Sequence, residues 1–168
     1  MLISFPKRLL GLAVLLPMSV TASGDAAVDR TRREVKMLDD LYKTAVVLIT
    51  KHYVNDPSSV SGATAAQLLF AAMKEKGWHE IRLVDASGKP INPHNAAQDD
   101  FEKAAVASMK AGGSWHEQVV ARDGKRYLRA ATPIPVVLEK CAMCHPNFSA
   151  VPAGQAIGML SYTVPVGD

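Results

Sequence analysis

The 168-residue sequence predicts a single α+β domain behind a short leader. In the first half of the chain after the leader, apolar residues recur at spacings of three and four, which is typical of amphipathic helices. In the second half, short strand-like segments separated by turn residues prevail. Helices followed by adjacent strands, without a regular alternation of the two, favour an antiparallel sheet with helices packed on it.

The first 22 residues have the pattern of a secretory signal peptide. Two basic residues precede an apolar run from Leu9 to Met18, and small residues follow up to Ala22, where we expect cleavage. The run is about half as long as the roughly 20 residues that a membrane-spanning helix needs. We therefore expect a signal peptide over 1–22, a mature domain over 23–168 and a periplasmic location, with membrane attachment only if the leader stays uncleaved.

The charge balance does not favour binding to nucleic acid. The whole chain has 19 Lys and Arg against 16 Asp and Glu, and two of the basic residues belong to the leader. The mature part therefore lacks the basic patch of a nucleic-acid binder. Arg30, Arg32 and Arg33 are more simply the solvated start of a helix.

Two helices are predicted first, over 29–54 and 62–76. Ser61 is placed to cap the start of the second helix and Gly77 to cap its end. The residues expected on their buried faces are Val35, Leu38, Leu41, Tyr42, Ala45, Leu48, Ile49 and either His52 or Tyr53, then Ala65, Leu68, Leu69, Ala72 and Met73.

The remaining elements are strands, with one more helix inserted among them. A third helix over 101–109, capped by Asp99 or Asp100, follows an ordered loop over 91–99. Asp123-Gly124 predicts a tight hairpin turn, and Pro133 and Pro135 are expected to interrupt the strand after it. The predicted strands are 78–85, 114–122, 125–132 and 156–166. We expect these elements to form a PAS-like sheet with the helices on one face.

The motif that carries chemistry is Cys141-Ala142-Met143-Cys144-His145. C-x-x-C-H is the pattern of covalent c-type haem attachment, in which two thiols add to the haem vinyl groups and the histidine binds iron. The sequence therefore predicts one haem c, with Cys141 and Cys144 as its attachment points and His145 as an axial iron ligand. Export agrees with this prediction, because bacteria attach c-type haem outside the cytoplasm.

Two other sites could use the same cysteines. A thioredoxin-like redox pair usually sits in an alternating β/α pattern, which the sequence does not show. A zinc site needs four ligands, so the two thiolates would have to recruit distant histidines. Those histidines are His52, His79, His94 and His116.

Further residues carry a family resemblance that covers about residues 30–166. They are Gly77-Trp78, Asn92-Pro93-His94-Asn95, Phe101-Glu102, Pro133-Ile134-Pro135 and, in the final strand, Gly158. With the haem motif, they resemble the single-haem, PAS-like c-type cytochrome domains found alone in the periplasm or as sensor inputs of bacterial signalling proteins. The resemblance implies haem binding in a PAS-like pocket, redox or diatomic-gas sensing, and no enzymatic turnover.

The second axial ligand is not evident from the sequence. A cyanobacterial member of the resembled family uses an additional cysteine there, and this chain has only two cysteines. Met73 is one candidate, because a thioether on an apolar helix face could bind iron, although it could equally be a core methionine. The alternatives are an open position or one of the histidines His52, His79, His94 and His116. Candidate pocket walls are Leu69, Phe70, Val136, Val137 and Phe148, with Arg126 or Arg129 as partners of the haem propionates.

Two functions follow from a haem domain of this kind. In a sensor, electron or ligand uptake at the iron shifts the population of two arrangements of the domain, and the long first helix carries the output to a separate periplasmic signalling protein. In an electron carrier, the haem exchanges electrons with periplasmic redox proteins. An enzyme would also need an open site with a placed acid or base, such as His52 or His116, and we do not expect one.

Overall fold

Four helices and four strands form the part of the chain that the computed structural model describes, which is residues 24–56, 60–152 and 154–167. The helices are α1 (Ala26–Tyr53), α2 (Gly62–Glu75), α3 (Asp100–Lys110) and α4 (Lys140–Cys144). The strands are β1 (Glu80–Asp85), β2 (His116–Arg122), β3 (Lys125–Pro135) and β4 (Ala156–Pro165). Short 3-10 turns lie at Pro93–Asn95 and Pro146–Ala150. The predicted leader lies outside these described residues, and none of the helices within them combines the length and apolar character needed to cross a membrane.

Local sequence signals set several helix ends as predicted. Ser61 caps α2, because its hydroxyl accepts a hydrogen bond of 3.1 Å from the N–H of Thr64. Asp99 caps α3 in the same way, through the N–H of Glu102 at 2.9 Å. Gly77 follows α2 with a φ of 74°, a left-handed conformation that glycine adopts without strain.

The sheet has the strand order β1-β4-β3-β2, and each neighbouring pair is antiparallel. The turn between β2 and β3 is formed by Asp123 and Gly124, with φ values of 50° and 74°. Positive φ at both central residues suits the right-handed twist of a hairpin. These observations confirm the predicted α+β class, with an antiparallel sheet and N-terminal helices in a single domain.

Strand β3 continues through Pro133 to Pro135, so the prediction that these prolines interrupt it is wrong. Strand β2 pairs with β3 only as far as Ala131, opposite His116. Beyond that point one edge of β3 has no neighbouring strand in the sheet, so a proline that lacks an N–H is tolerated there. Strand β4 continues along the other edge, with a register shift between Ile134 and Pro135. The prolines therefore lie in the part of β3 that extends beyond the end of β2.

Helices α1 and α2 cover one face of the sheet. Their buried residues are Val28, Thr31, Val35 and Tyr42 in α1 and Gly62, Ala66 and Phe70 in α2. They pack with the sheet residues Ile81, Leu128, Ala130, Leu160, Tyr162 and Val164. Within this core the rings of Tyr42 and Phe70 meet edge to face, with centroids 5.3 Å apart, which is a favoured aromatic geometry.

The buried faces of α1 and α2 differ in part from the prediction. Burial of Val35 and Tyr42 is confirmed, but four leucines assigned to these faces are exposed, namely Leu41, Leu48, Leu68 and Leu69. In α2 the cause is the close approach of Gly62 to α1, where a Cβ would lie 3.4 Å from the carbonyl oxygen of Val46. Residues four and eight positions after Gly62 share its side of the helix. Burial of Ala66 and Phe70 therefore turns Leu68 and Leu69 towards solvent.

Helix α3 covers the opposite face of the sheet, which corrects the prediction that the helices share one face. Its Phe101, Ala105 and Met109 pack with the sheet residues Val84, Ala131, Ala156 and Met159. Strand β4 is buried along nearly its whole length. Because side chains alternate across a strand, such a strand needs cover on both faces. A helix on the second face supplies that cover.

A polar cluster joins α1 to the sheet. One carboxylate oxygen of Asp39 accepts hydrogen bonds from the hydroxyls of Thr132 at 2.5 Å and Tyr162 at 2.9 Å. The other accepts from the ammonium group of Lys43 at 2.9 Å. Burial raises the pKa of the Tyr162 phenol far above its usual value, so the hydroxyl stays protonated and donates. The cluster holds the middle of α1 in one rotation against the sheet.

Candidate functional site

The C-x-x-C-H motif occupies α4 and the residue at its exit, between β3 and β4. The N–H of Cys141 bonds to the carbonyl of Leu138 at 3.0 Å, and the N–H of His145 bonds to the carbonyl of Cys141 at 3.1 Å. Pro146 follows, and the residue before a proline avoids the helical conformation. His145 accordingly leaves the helix with a φ of −128°, and α4 ends at Cys144.

The two cysteines of the motif lie on this one helical turn. Cys141 is a half-buried free thiol, and the Cys144 side chain lies outside what the structure describes. Residues three positions apart are neighbours on a helix surface. This placement of the backbone is what the attachment of a single group to both thiols requires.

The ring of His145 is held by the turn that follows it. The N–H of Phe148 bonds to the carbonyl of His145 at 2.9 Å. The two rings stack in nearly parallel planes, with centroids 4.5 Å apart and an angle of 7°. Phe148 is itself buried. Phe148 was predicted as a wall of the haem pocket, and its ring here restricts the orientation of the imidazole.

The surroundings of His145 favour the neutral imidazole. Burial lowers the pKa of His145, and the carboxylate of Asp85 opposes this more weakly. Its Nδ1 is buried and has no hydrogen-bond partner in the part of the chain that the structure describes. A buried unpaired nitrogen costs about 1–3 kcal/mol, and either nitrogen of a neutral imidazole can bind a metal. His145 therefore fits the predicted role of a metal ligand.

Lys140, the residue directly before Cys141, anchors α4 to the end of α1. Its ammonium group donates to the carbonyl of Lys51 at 3.1 Å and to that of Val54 at 2.8 Å. The last carbonyls of a helix lack partners within the helix, and a lysine is a suitable donor to them. This contact was missed in the sequence, since nothing in the pattern indicates that residues 51 and 140 meet.

Met73 lies away from the motif. Its carbonyl accepts a hydrogen bond of 3.4 Å from the N–H of Trp78, just before the start of β1. Asp85, whose carboxylate raises the pKa of His145 against the effect of burial, lies at the other end of β1. At about 3.3 Å per residue, that strand is roughly 17 Å long. Met73 packs on the core between α1, α2 and the sheet, so its placement does not support a role as second iron ligand.

The other histidines are spread over the molecule. His79 is buried and shares a hydrogen bond of 2.9 Å with the hydroxyl of Tyr42. His116 packs on Phe101 of α3, with ring centroids 5.2 Å apart. The other two are exposed, His94 in the turn Pro93–Asn95 and His52 near the end of α1. Of the four, His52 lies on the segment to which Lys140 binds.

Three predicted pocket residues belong to other parts of the fold. Phe70 lies in the core between α1 and the sheet. Arg129 binds Asp99 at 2.6 Å on the α3 face. Arg126 pairs with Asp25 at the start of α1, whereas α4 docks at its other end. A helix of 28 residues is about 42 Å long, so Arg126 lies far from the motif, and the contacts of the two arginines do not support their predicted role as propionate partners.

The alternative chemistries gain no support from the described residues. No group of three or more histidine, cysteine or acidic side chains converges there in a way that could hold a metal ion. The alternating, parallel β/α arrangement typical of thioredoxin-like sites is also missing from the described sheet, in which every pairing is antiparallel. Neither a zinc site nor a thioredoxin-like site has a structural basis in these residues.

Together, the fold and the motif define a class of small α+β proteins that present C-x-x-C-H on a short helix between the last two strands of an antiparallel sheet. The chain belongs to the Tll0287-like family, whose sequence profile it matches over residues 20–165. A search of curated protein sequences gave no match.

A solved structure supports the fold. The crystal structure of the cyanobacterial heme-protein Tll0287 superposes with a TM-score of 0.60 at 11% sequence identity. The match covers 81% of this chain and 95% of that one. At this identity the likeness establishes the arrangement of helices and strands.

Proposed function

We propose that this chain is a periplasmic haem protein that senses redox state or a diatomic gas through one covalent haem c. Cys141 and Cys144 would hold the haem by thioether bonds, and His145 would bind its iron. The proposed role is binding and signalling, without catalytic turnover. It is supported by membership of the Tll0287-like family and by the likeness to a structure described as a heme-protein.

The observation that carries the proposal is the state of His145. Its ring is half-buried, favoured in the neutral form and stacked on Phe148, and its buried Nδ1 has no hydrogen-bond partner in the described chain. A histidine must be neutral to bind a metal and is helped by a fixed ring orientation, and the surroundings of His145 favour both. Cys141, one helical turn earlier in the chain, is a free thiol. Bound haem would supply an iron whose oxidation state or gas ligand can change.

The surface beside the motif also suits an apolar group. Val137 is 58% exposed and Met143 is 36% exposed. Tyr53, at the end of α1 to which Lys140 binds, is 76% exposed. Apolar side chains that lie together on a surface commonly mark a binding site. A porphyrin is large and mainly apolar, so its attachment to α4 would withdraw such side chains from water.

The contact between α4 and α1 favours sensing. Lys140 ties the motif helix to the last carbonyls of α1, and α1 runs back along the whole sheet to Asp25. A change of ligand or charge at His145 can therefore reach a long helix through one hydrogen-bonded residue. A shift between two positions of α1 would be the signal that a separate periplasmic partner reads.

Electron transfer is the alternative function, and the exposure of the motif favours it. Met143 lies between the two cysteines and is partly open to solvent. A redox group attached there is within reach of a partner protein. A carrier needs no movement of α1, which separates the two functions by experiment.

The first experiment is the mass of the protein under denaturing conditions, after expression in bacteria that attach c-type haem. We expect the mass of the mature chain plus one haem, and loss of the haem in the double variant Cys141→Ser, Cys144→Ser. Met143→Ala is the matched control within the same turn and should keep the haem. A wild-type mass without haem would refute the proposal.

A second experiment separates the two functions. We expect the ferrous protein to bind CO or NO, and amide hydrogen exchange near the end of α1 to change when it does. Exchange in α3, on the other face of the sheet, is the internal control. A ferrous protein that binds neither gas, and whose α1 exchanges alike in both oxidation states, would leave electron transfer as the function.

A further inference from the structure

We infer that His52, near the end of α1, would be a second protein ligand of the haem iron, in addition to His145. The inference rests on the proposed haem attachment and adds to it the residue that completes the iron site. It follows from where α4 docks, from the surroundings of the other candidates and from the packing of the end of α1 against α2.

The docking of α4 brings the two segments together. Lys140 binds the carbonyls of Lys51 and Val54, on either side of His52, at 3.1 and 2.8 Å. Lys140 is also adjacent to Cys141, the first attachment point. The end of α1 that carries His52 and the turn that carries the haem motif are therefore fastened to each other.

The other candidate ligands predicted from the sequence are placed elsewhere. His79 is bonded to Tyr42 inside the core, and His116 packs on α3 across the sheet. The turn that carries His94 is held by Arg82, which donates to the carbonyl of His94 at 3.2 Å. Met73 lies beyond the start of β1. Each would have to leave its present contacts, or move with its element, to reach the motif.

His52 needs no such rearrangement. Its side chain is exposed, and the chain neighbours that flank it accept the Lys140 hydrogen bonds through their carbonyls, which leaves the imidazole itself available. A change of its side-chain rotamer would break none of the contacts described for the chain. Coordination would involve only the lone pair of a neutral imidazole nitrogen, with no bond broken in the protein.

The end of α1 also packs closely against the start of α2. Gly62 of α2 approaches it closely, since a Cβ at that position would meet the Thr50 hydroxyl and lie 3.5 Å from a methyl carbon of Val46. This close packing holds the last turns of α1 against the start of α2, so the two would move together. A gas that takes the second axial position would displace His52, so its binding would act directly on α1.

The test uses the haem-loaded protein and its optical and electron paramagnetic resonance spectra. We expect the wild type to be six-coordinate and low-spin in both oxidation states. His52→Ala should become high-spin, bind CO at least about tenfold faster, and return to the low-spin spectrum when imidazole is added. His52→Met should raise the reduction potential, as a thioether ligand does.

His94→Ala removes an equally exposed histidine and serves as the matched control, with an unchanged spectrum expected. A high-spin wild type, or a His52→Ala protein that stays low-spin, would overturn the inference while the denatured mass still reports covalent haem. A mass without haem would instead refute the proposed function. Circular dichroism of each variant confirms that the fold is kept.

Discussion

Gly158 lies so close to Val84 of the neighbouring strand that a Cβ on Gly158 would be 3.0 Å from the Val84 carbonyl oxygen. Gly158 is also paired with Asp85, the residue whose carboxylate raises the pKa of His145. Glycine therefore permits the close approach of β1 and β4 at the end of the sheet nearest the motif. This gives a physical reason for a glycine in the last strand.

Substitution of Gly158 tests that close approach. Gly158→Ala should lower the free energy of unfolding by about 1–3 kcal/mol, because a methyl group forced into packed structure displaces its neighbours. Chemical denaturation followed by circular dichroism measures the change. Gly167→Ala is the control, since a Cβ there meets no atom within 4 Å. Equal stability of the two variants would show that β1 and β4 can separate without cost.

The stacking of Phe148 on His145 predicts a joint effect on stability and on the iron site. Phe148→Ala should destabilise the protein by about 3 kcal/mol, as is usual for truncation of a buried phenylalanine. Loss of the parallel ring should also free the imidazole, which would appear as a broadened or shifted spectrum of the haem-loaded protein.

The control for Phe148→Ala is Val119→Ala, at a side chain that is 43% exposed. It should change neither the stability nor the spectrum appreciably. If Phe148→Ala lowered the stability and left the spectrum as it was, Phe148 would be a core residue with no influence on the imidazole.

The sequence predicted most elements because their signals are local. Ser61 and Asp99 cap helices through hydrogen bonds three residues along the chain, and Asp123-Gly124 makes a turn of two residues. Such contacts form between residues that are close in the sequence, so the sequence pattern predicts them. The C-x-x-C-H motif is local for the same reason, and α4 presents it as one unit.

Contacts between distant segments could not be predicted in this way. Leu68 and Leu69 have the right spacing for a buried face, and only the approach of Gly62 to α1 decides that they are exposed. Lys140 meets the carbonyls of Lys51 and Val54 across almost ninety positions of sequence. Met73 suits an iron ligand by residue type, but the length of β1 separates it from His145. The identity of a second iron ligand therefore depends on how distant segments pack, which the sequence pattern does not show.

The buried carboxylate of Glu102 should be important for the α3 face. It is 1% exposed, accepts from the Arg82 guanidinium at 2.9 Å and from the Gln98 N–H at 2.8 Å. Glu102→Gln keeps the shape and removes the charge, so we expect a loss of about 1–3 kcal/mol in the free energy of unfolding. Thermal and chemical unfolding measure it.

Comparison with Asp100→Asn tests whether burial is the cause. Asp100 pairs with Lys103 at 3.3 Å but is fully exposed, and exposed ion pairs contribute little. Its substitution should leave the unfolding curve almost unchanged. Similar losses in the two variants would indicate that the charge of the α3 start, rather than the buried contact with Arg82, stabilises the helix.

His79 should make the stability of the haem-loaded protein depend on pH. Burial lowers its pKa, and the carboxylate of Glu34 opposes this more weakly. The unfolded chain takes up a proton at His79 near the ordinary value of about 6.5, while the folded chain does so only at lower pH. The stabilisation is therefore complete above about pH 6.5 and is lost as the pH falls towards the folded pKa.

Unfolding of the haem-loaded protein at pH values from about 7.5 down to 5 measures this dependence. We expect the free energy of unfolding of the wild type to fall over that range, and that of His79→Phe to fall less, since phenylalanine does not titrate. His94→Gln, at an exposed histidine, should follow the wild type. A His79→Phe slope equal to that of the wild type would mean that folding does not lower the pKa of His79.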